Sequence, residues 1–254
     1  MQRVRDAAVK GFIDLHLCPN LKDQDETRLM IEKSAELGYK AVGVTLSQKF
    51  FRSEAEKIKK ICSEAGLDFI SRIDLKPANT TELLKSLRLL RREVEIISVK
   101  CGSKSVARQA AKDHRVDILS FSPLDMRKRF FDSAEAELAS KALASLEFDL
   151  APLLYLRGYR RIRLLSKIRE EALIAKKYDV PIVLSSGANN VSLLRKPEDY
   201  AALSYLFGLD LNDAKKALSE NPLKIIERNR RKLNPNFVAP GVYIIGRGKD
   251  CPDG

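Results

Sequence analysis

Short apolar runs alternate along the chain with longer stretches whose apolar residues recur at helical spacing. The run at residues 11–17 (GFIDLHL) precedes a helical stretch at 25–37, and residues 41–46 (AVGVTL) precede another at 53–65. The runs are apolar on both faces, which is typical of strands buried on both sides in a parallel sheet. The first part of the chain therefore predicts repeated strand–helix units.

The same alternation continues for most of the remaining sequence. Further strands are predicted at residues 67–75, 94–101, 116–122, 148–154 and 181–185, and further helices at 80–92 (capped by Thr80 or Thr81), 105–114, 133–146, 160–178, 197–207, 211–218 and 222–232. Seven such units in a row imply a parallel sheet with right-handed crossovers.

The length of 254 residues suits one β/α barrel, which typically takes roughly 250. We predict an α/β fold, a single TIM-barrel-like barrel over residues 1–233 that is irregular at its closing strands. An open parallel sheet is the alternative. Residues 234–254, rich in proline and glycine, are predicted to form an extended tail.

The chain is strongly basic, with 46 Lys and Arg against 34 Asp and Glu and a net charge of +12. Such a charge favours a polyanionic partner, either nucleic acid or an anionic membrane surface. Because there is no apolar run of about 18 residues and the first ten residues are polar, neither a membrane span nor a signal peptide is predicted. The four cysteines form no C-x-x-C pair, which indicates reduced thiols and a cytoplasmic protein.

Metal chemistry has a limited basis in the sequence. Asp14 and His16 alternate on one face of the first strand, Asp74 ends the third strand, and Asp125 follows the fifth. A two-metal hydrolase needs several histidines and carboxylates, however, and the chain has only two histidines. We therefore predict no metal ligands and no catalytic residues in the chain.

Other catalytic motifs do not stand out either. No G-x-S-x-G, G-x-G-x-x-G or P-loop sequence follows a predicted strand. Lys100, near a strand end, has the chemistry for a Schiff base, but in so basic a chain we expect it to bind a phosphate or to cap a loop.

The positive charge is concentrated in a few segments. Residues 157–177 hold eight basic residues against two acidic ones, and three consecutive cations follow the fifth strand. On a helical wheel, Ile162, Leu165, Ala172 and Leu173 form an apolar stripe opposite a basic face. The predicted RNA-contacting residues are Arg108, Arg127, Lys128, Arg129, Arg160, Arg163, Lys167, Arg195 and Lys196. Since aromatic residues are only 7% of the chain, we expect these cations to contact the backbone of folded RNA rather than its bases.

Several segments, in order, resemble the thirty-kilodalton protein subunit family of archaeal and eukaryotic ribonuclease P. They are FIDLH, VDILSFSP, LAPLL, PIVLSSGA, RKPEDYAALSYLFGL and NPLKIIERN, and they span residues 10–233. The resemblance implies a TIM-barrel-like fold, related to polymerase-and-histidinol-phosphatase-type phosphoesterases. Those enzymes are expected to have H-x-H in the first strand, where this chain has Asp14-Leu15-His16.

The resemblance also implies a function. It indicates a protein subunit that binds and supports the catalytic RNA of ribonuclease P in removing 5′ leaders from precursor tRNA. The RNA would cleave with Mg²⁺ while the isolated protein would not be catalytic, and a smaller RRM-like protein subunit would be a partner. The alternative is a free-standing metal-dependent phosphoesterase that uses Asp14, His16 and Asp74.

Overall fold

Seven parallel strands form the centre of the molecule in the computed structural model, which describes residues 11–239 and 242–244. Each strand hydrogen-bonds to the next one along the chain, so the order in the sheet is the order in the sequence. The strands are β1 (Phe12–Leu17), β2 (Tyr39–Thr45), β3 (Asp68–Leu75), β4 (Ile96–Lys100), β5 (Ile118–Ser120), β6 (Ser145–Asp149) and β7 (Ile182–Ser185). The predicted α/β barrel is confirmed.

Helices connect the strands and cover the outside of the barrel. They are α1 (Gln24–Glu36), α2 (Phe51–Glu64), α3 (Thr80–Leu90), α4 (Lys104–Lys112), α5 (Ser133–Ala142), α6 (Ala151–Tyr155), α7 (Gly158–Lys177), α8 (Pro197–Ser204), α9 (Leu211–Leu218) and α10 (Glu220–Leu233). Three 3₁₀ turns lie at Met126–Lys128, Val191–Leu193 and Tyr205–Phe207. The predicted cap of α3 was wrong, because the Asn79 side chain accepts the bond from the Glu82 N–H.

The barrel remains unsealed between its first and last strands. Leu17 of β1 and Ala188, just beyond β7, form an isolated parallel bridge. The Cys18 N–H donates to the Ala188 carbonyl at 2.8 Å, and the Gly187 N–H donates to the His16 carbonyl at 3.0 Å. These contacts hold the two strands near each other without a continuous ladder, which is the irregular closure that the sequence predicted.

Helix α10 closes the amino-terminal end of the barrel. Its Ile225 and Ile226 enter the barrel interior, and burying such a side chain contributes about 1.5–3 kcal/mol. They join a cluster made of Ile13, Leu15, Ala41, Ile70, Ile96, Ile118 and Val183. One turn later, Arg228 donates to Asp117 at 2.8 Å and Arg230 donates to Asp68 at 2.7 Å. Two cations of this basic helix end are therefore committed to carboxylates of the barrel.

The predicted boundaries around the sixth strand were wrong. A helix was predicted to continue to residue 146, but Leu143 adopts a left-handed conformation with φ of 59° and ends α5 at Ala142. The strand then starts at Ser145 rather than at Phe148 and ends at Asp149. Pro152 falls inside the strand predicted at residues 148–154, but it lies in the first turn of α6, where proline is tolerated.

The apolar stripe predicted on α7 was also wrong. Ile162 and Leu173 are 64% and 60% exposed. The face that packs on the barrel contains Leu164, Ile168, Glu171, Ala172 and Ala175. A buried glutamate hides this face from a hydrophobicity pattern, because the wheel treats Glu171 as a surface position.

Three of the cysteines are described, and Cys18, Cys62 and Cys101 are free thiols. Cys251 and most of the predicted tail lie outside the described residues. Within residues 234–244, β8 (Phe237–Ala239) pairs antiparallel with β9 (Val242–Tyr243). No helix in the described ranges has the length and apolarity of a membrane span.

Candidate functional site

The carboxyl ends of four strands bring a dense group of charged side chains into the mouth of the barrel. Because alternate residues of a strand share a face, pairs separated by one residue point inward together. This mouth cluster consists of Asp14 and His16 from β1, Arg72 and Asp74 from β3, Lys100 from β4, and Glu147 and Asp149 from β6.

Arg72 lies at the centre of the mouth cluster and is completely buried. Its two terminal nitrogens each donate to one Glu147 oxygen at 2.6 Å, and its Nε donates to Asp74 Oδ1 at 2.7 Å. Burial alone would raise the pKa of Asp74, but Arg72 and His16 hold that pKa well below its usual range. Asp74 is therefore ionised, and one guanidinium bonds to both carboxylates.

His16 bridges two other members of the cluster. Its Nδ1 lies 2.6 Å from Asp149 Oδ1, and its Nε2 lies 3.1 Å from Asp74 Oδ2 and 3.0 Å from Cys18 Sγ. Burial and Arg72 oppose protonation, yet Asp149, Cys18 and Asp74 raise the pKa of His16 well above its usual value. The ring is thus an imidazolium that donates to carboxylates on both sides.

Lys100 and Asp14 are the remaining members of the mouth cluster. Lys100 Nζ lies 3.1 Å from Asp74 Oδ2. Burial raises the pKa of Asp14, whose Oδ1 accepts from the backbone N–H groups of His16 and Ser186. Each of the three cations, Arg72, His16 and Lys100, therefore contacts at least one carboxylate within the mouth cluster.

A metal ion does not fit this arrangement well. His16, Glu147 and Asp149 each place a ligand atom within 4.8 Å of the others. Both Glu147 oxygens, however, accept from Arg72, and His16 Nδ1 already contacts Asp149. A cation would have to displace the guanidinium and the imidazolium proton, at the cost of leaving a buried arginine unpaired.

Three of the seven members of this cluster, namely Arg72, Glu147 and Asp149, were not predicted from the sequence. Glu147 and Asp149 were missed because the sixth strand was predicted at residues 148–154, which left Glu147 outside the strand and placed Asp149 near its start, whereas the strand ends at Asp149. The signal in the sequence was the spacing of Glu147 and Asp149 in S-L-E-F-D, two residues apart like Asp14 and His16.

Gly187, with φ of +60°, brings the loop after β7 against Asp149. A Cβ at position 187 would lie 2.6 Å from the Cβ of Asp149, so a side chain does not fit there.

A second group of charges lies outside the barrel, on α7 and on the 3₁₀ turn after β5. We call it the outer cationic surface, and it consists of Arg127, Lys128, Arg160, Arg163 and Lys167. Arg160, Arg163 and Lys167 fall within about 60° of each other around the helix, and Arg127 is 93% exposed. Helix α7 packs against the turn, so cations about 30 residues apart in sequence lie on two elements that contact each other.

The outer cationic surface has few acidic neighbours. Lys167 pairs with Glu170 at 2.8 Å, and Arg127 and Lys128 lie 3.8 Å from Asp125. Within residues 11–239 and 242–244, no carboxylate forms an ion pair with Arg160 or Arg163. The first turn of α7, where no side chain caps the helix, adds the positive end of its dipole. This side of the molecule therefore carries net positive charge.

Arg129, which the sequence placed with the RNA-contacting cations, has a different position. It is buried, its Nε donates to Glu171 Oε1 at 3.0 Å, and its Nη2 donates to Glu171 Oε2. Its Nη1 donates to the Phe121 and Ser122 carbonyls. The residue therefore anchors the 3₁₀ turn onto α7 and holds Arg127 and Lys128 beside the helix.

The three other predicted contact residues lie apart from the outer cationic surface. Arg108 on α4 pairs with Asp132 at 2.6 Å and lies 3.5 Å from Glu135. Glu135 is buried between α4 and α5, and burial raises its pKa to about 8. Arg195 and Lys196 lie in the loop before α8, where Arg195 donates to the Ser192 carbonyl at 2.8 Å.

Comparison with known proteins places these features in context. The family model described as RNase P subunit p30 matches residues 11–234. Ribonuclease P protein component 3 of Methanococcoides burtonii is 32% identical over 240 residues, covering 94% of this chain and 95% of that protein. The corresponding protein of Methanocaldococcus jannaschii is 30% identical over 202 residues, covering 80% and 86%.

Solved structures show the same similarity. A chain in the cryo-EM structure of archaeal ribonuclease P with mature tRNA superposes with a TM-score of 0.80 at 28% identity, covering 94% of this chain and all of that chain. Dihydroorotase from Campylobacter jejuni superposes with a TM-score of 0.52 at 14% identity, covering 85% and 83%. The latter similarity is one of fold only.

Proposed function

This chain belongs to the RNase P subunit p30 family, and from that premise we propose that it serves ribonuclease P by holding RNA on its outer cationic surface. It is a protein subunit of ribonuclease P, and its role is in the maturation of tRNA at the 5′ end. The family match covers the whole barrel, so the proposal concerns the complete folded unit.

The observation that carries the proposal is the contrast between neutralised and unneutralised charge. The mouth cluster balances its own charges, whereas Arg160 and Arg163 face solvent without an acidic partner among the described residues. Arginine forks match phosphate geometry, and releasing counterions from RNA favours binding. Positive charge on the outside of the barrel is therefore available for a polyanion.

The same contrast supports a non-catalytic protein. Mg²⁺ would serve the RNA that cleaves, and the protein would supply phosphate neutralisation rather than metal ligands or a general base. The proposed partners are ribonuclease P RNA, precursor tRNA through the holoenzyme, and a smaller RRM-like protein subunit. A cytoplasmic location stays a prediction.

The test compares three substitutions on the proposed surface with three elsewhere. Arg127, Arg160 and Arg163 are changed together to Gln, and the control changes Lys57, Lys59 and Lys60, exposed on α2, to Gln. Affinity for ribonuclease P RNA is measured between about 50 and 200 mM salt. Removing three phosphate contacts should reduce the slope of log affinity against log salt by about 2–3, and the control should keep the wild-type slope.

Cleavage of precursor tRNA then tests the role of the protein. The protein alone, with Mg²⁺ or Mn²⁺, should not cleave, and activity should require the RNA. Cleavage by the protein alone that disappears in His16→Ala would contradict the proposal in favour of the phosphoesterase. An equal loss of RNA affinity in the α2 control would contradict the placement of the surface.

A further inference from the structure

Tyr159 is an unusual residue for its position. It lies in the first turn of α7, and 72% of it is exposed. The guanidinium of Arg163, one turn along the helix, lies 5.5 Å from the centre of its ring. One side of the ring is thus covered by a cation, and much of the rest is open to solvent.

The surroundings of Tyr159 are those of the outer cationic surface. Arg160 is the next residue, Arg157 precedes the helix, and Arg163 contacts the ring. In the described part of the chain, no carboxylate forms an ion pair with these three arginines. The exposed ring is therefore placed where a polyanion would be attracted, not where a neutral or basic protein surface would be.

An aromatic ring among arginines suits one form of RNA in particular. Bases within an A-form duplex are stacked on each other and present only backbone and shallow groove to a protein surface. An unpaired base can stack on an aromatic ring, and arginines can neutralise its flanking phosphates. The combination at α7 therefore fits an unpaired nucleotide better than a duplex.

We propose that Tyr159 stacks on an unpaired nucleotide of the RNA, with Arg163 holding the ring and Arg160 contacting a neighbouring phosphate. This inference rests on the proposed function, because it specifies which RNA element the outer cationic surface binds. It also revises the expectation that the contacts are limited to the backbone of folded RNA. The alternative is that another protein subunit covers the ring, and the experiments below distinguish RNA from protein at this position.

The chain offers a direct probe because it contains no tryptophan. In Tyr159→Trp the indole is the only one, so its fluorescence reports on that position. A ten-nucleotide single-stranded RNA of mixed sequence should quench it on binding, and a ten-base-pair duplex should not. The control is Tyr243→Trp, at a tyrosine that is 47% exposed in β9 and should respond to neither RNA.

Affinity measurements with the full chain complete the test. Tyr159→Ala should weaken binding of the single strand about 5- to 100-fold without changing its salt slope, since stacking releases no counterions. Tyr159→Phe should bind within about twofold of wild type, because the ring is retained. Arg160→Gln should instead reduce the salt slope.

The outcomes are separable. If wild type binds RNA and Tyr159→Ala binds equally well, the stacking inference fails while the proposed function stands. If wild type binds no RNA at all, the proposed function fails as well. If Tyr159→Ala binds RNA normally but loses assembly with the other protein subunits, the ring belongs to a protein interface and the inference is overturned.

Discussion

The mouth cluster and the outer cationic surface are both rich in charge, yet they differ in how that charge is neutralised. In the mouth, Arg72 and His16 are buried and each contacts two carboxylates. On the outer surface, Arg160 and Arg163 extend from an exposed helix face without an acidic partner among the described residues. The first region pairs its charges internally, and the second leaves two arginines exposed to solvent.

This difference shows why charge density alone is a poor indicator of function. A strand end crowded with Asp, Glu and His resembles a hydrolase site until the guanidinium among them is included. Conversely, Arg127 and Arg129 are two residues apart, but one is almost fully exposed and the other is buried against Glu171. A charged side chain can attract a ligand only if a neighbouring residue of opposite charge does not already neutralise it.

The largest effect is expected from replacing Arg72, the central cation of the mouth cluster. Arg72→Met would leave Glu147 and Asp74 buried without their counter-charge, and we expect unfolding to become easier by about 3–5 kcal/mol. Urea denaturation measures this free energy. The control Arg127→Met, at an exposed site, should stay within about 0.5 kcal/mol of wild type. Equal stability of the two variants would show that the mouth charges are not coupled as described.

A second test concerns Arg129, the buried arginine that positions the exposed cations Arg127 and Lys128. Arg129→Met should destabilise the protein by about 3 kcal/mol and weaken RNA binding, although its side chain lies beneath the proposed RNA-binding surface. The double change Arg129→Met with Glu171→Leu should recover much of the stability, because no unpaired charge stays buried. If the single variant keeps full RNA affinity, the 3₁₀ turn does not need this anchor to present Arg127 and Lys128.

The smallest expected effect is a pH dependence of folding stability, which the mouth cluster should show and RNA affinity should not. The folded pKa of His16 lies above the unfolded value of 6.5, so the folded state binds more protons in that window. Stability should therefore fall as pH rises from 6.5 through the folded pKa, while RNA affinity stays constant because arginines do not titrate there. Burial raises the pKa of Glu135 to about 8, so this residue also makes stability fall as pH rises. Thermal unfolding is therefore measured in a Glu135→Gln background, which removes that contribution.

The matched variants for this measurement are the two histidines of the chain. His16→Asn should flatten the pH dependence of stability, and His114→Asn, at an exposed position, should retain it. A pH dependence that persists in His16→Asn would assign the titration to another group and remove the imidazolium from the description of the mouth.

Much of the fold was predictable because local signals agree with the global arrangement. Alternation of buried apolar strands with amphipathic stretches predicted the seven parallel strands, and glycines with positive φ, Gly38 and Gly66, follow the first two helices. The errors around the sixth strand arose where Leu143, an ordinary apolar residue, adopts the conformation that glycine usually takes at a helix end. No composition signal marks such a position.

The candidate site was predictable only in part, for a related reason. The basic character of α7 is visible in the sequence, and so are Asp14, His16 and Asp74 at strand ends. The pairing of Arg129 with Glu171, 42 residues apart, and of Arg72 with Glu147, 75 residues apart, is not visible. These contacts decide which charges are neutralised.

The sequence by itself determined the class of fold, the family and the excess of positive charge, because periodicity, motif order and composition are properties of the linear chain. Only the tertiary structure decided which cations are exposed and which are paired with buried carboxylates. Coulombic interactions depend on distance and burial, and barrel closure brings distant residues within hydrogen-bonding range while it excludes water. The same arginine side chain thus becomes a structural anchor at position 129 and a solvent-facing cation at position 127.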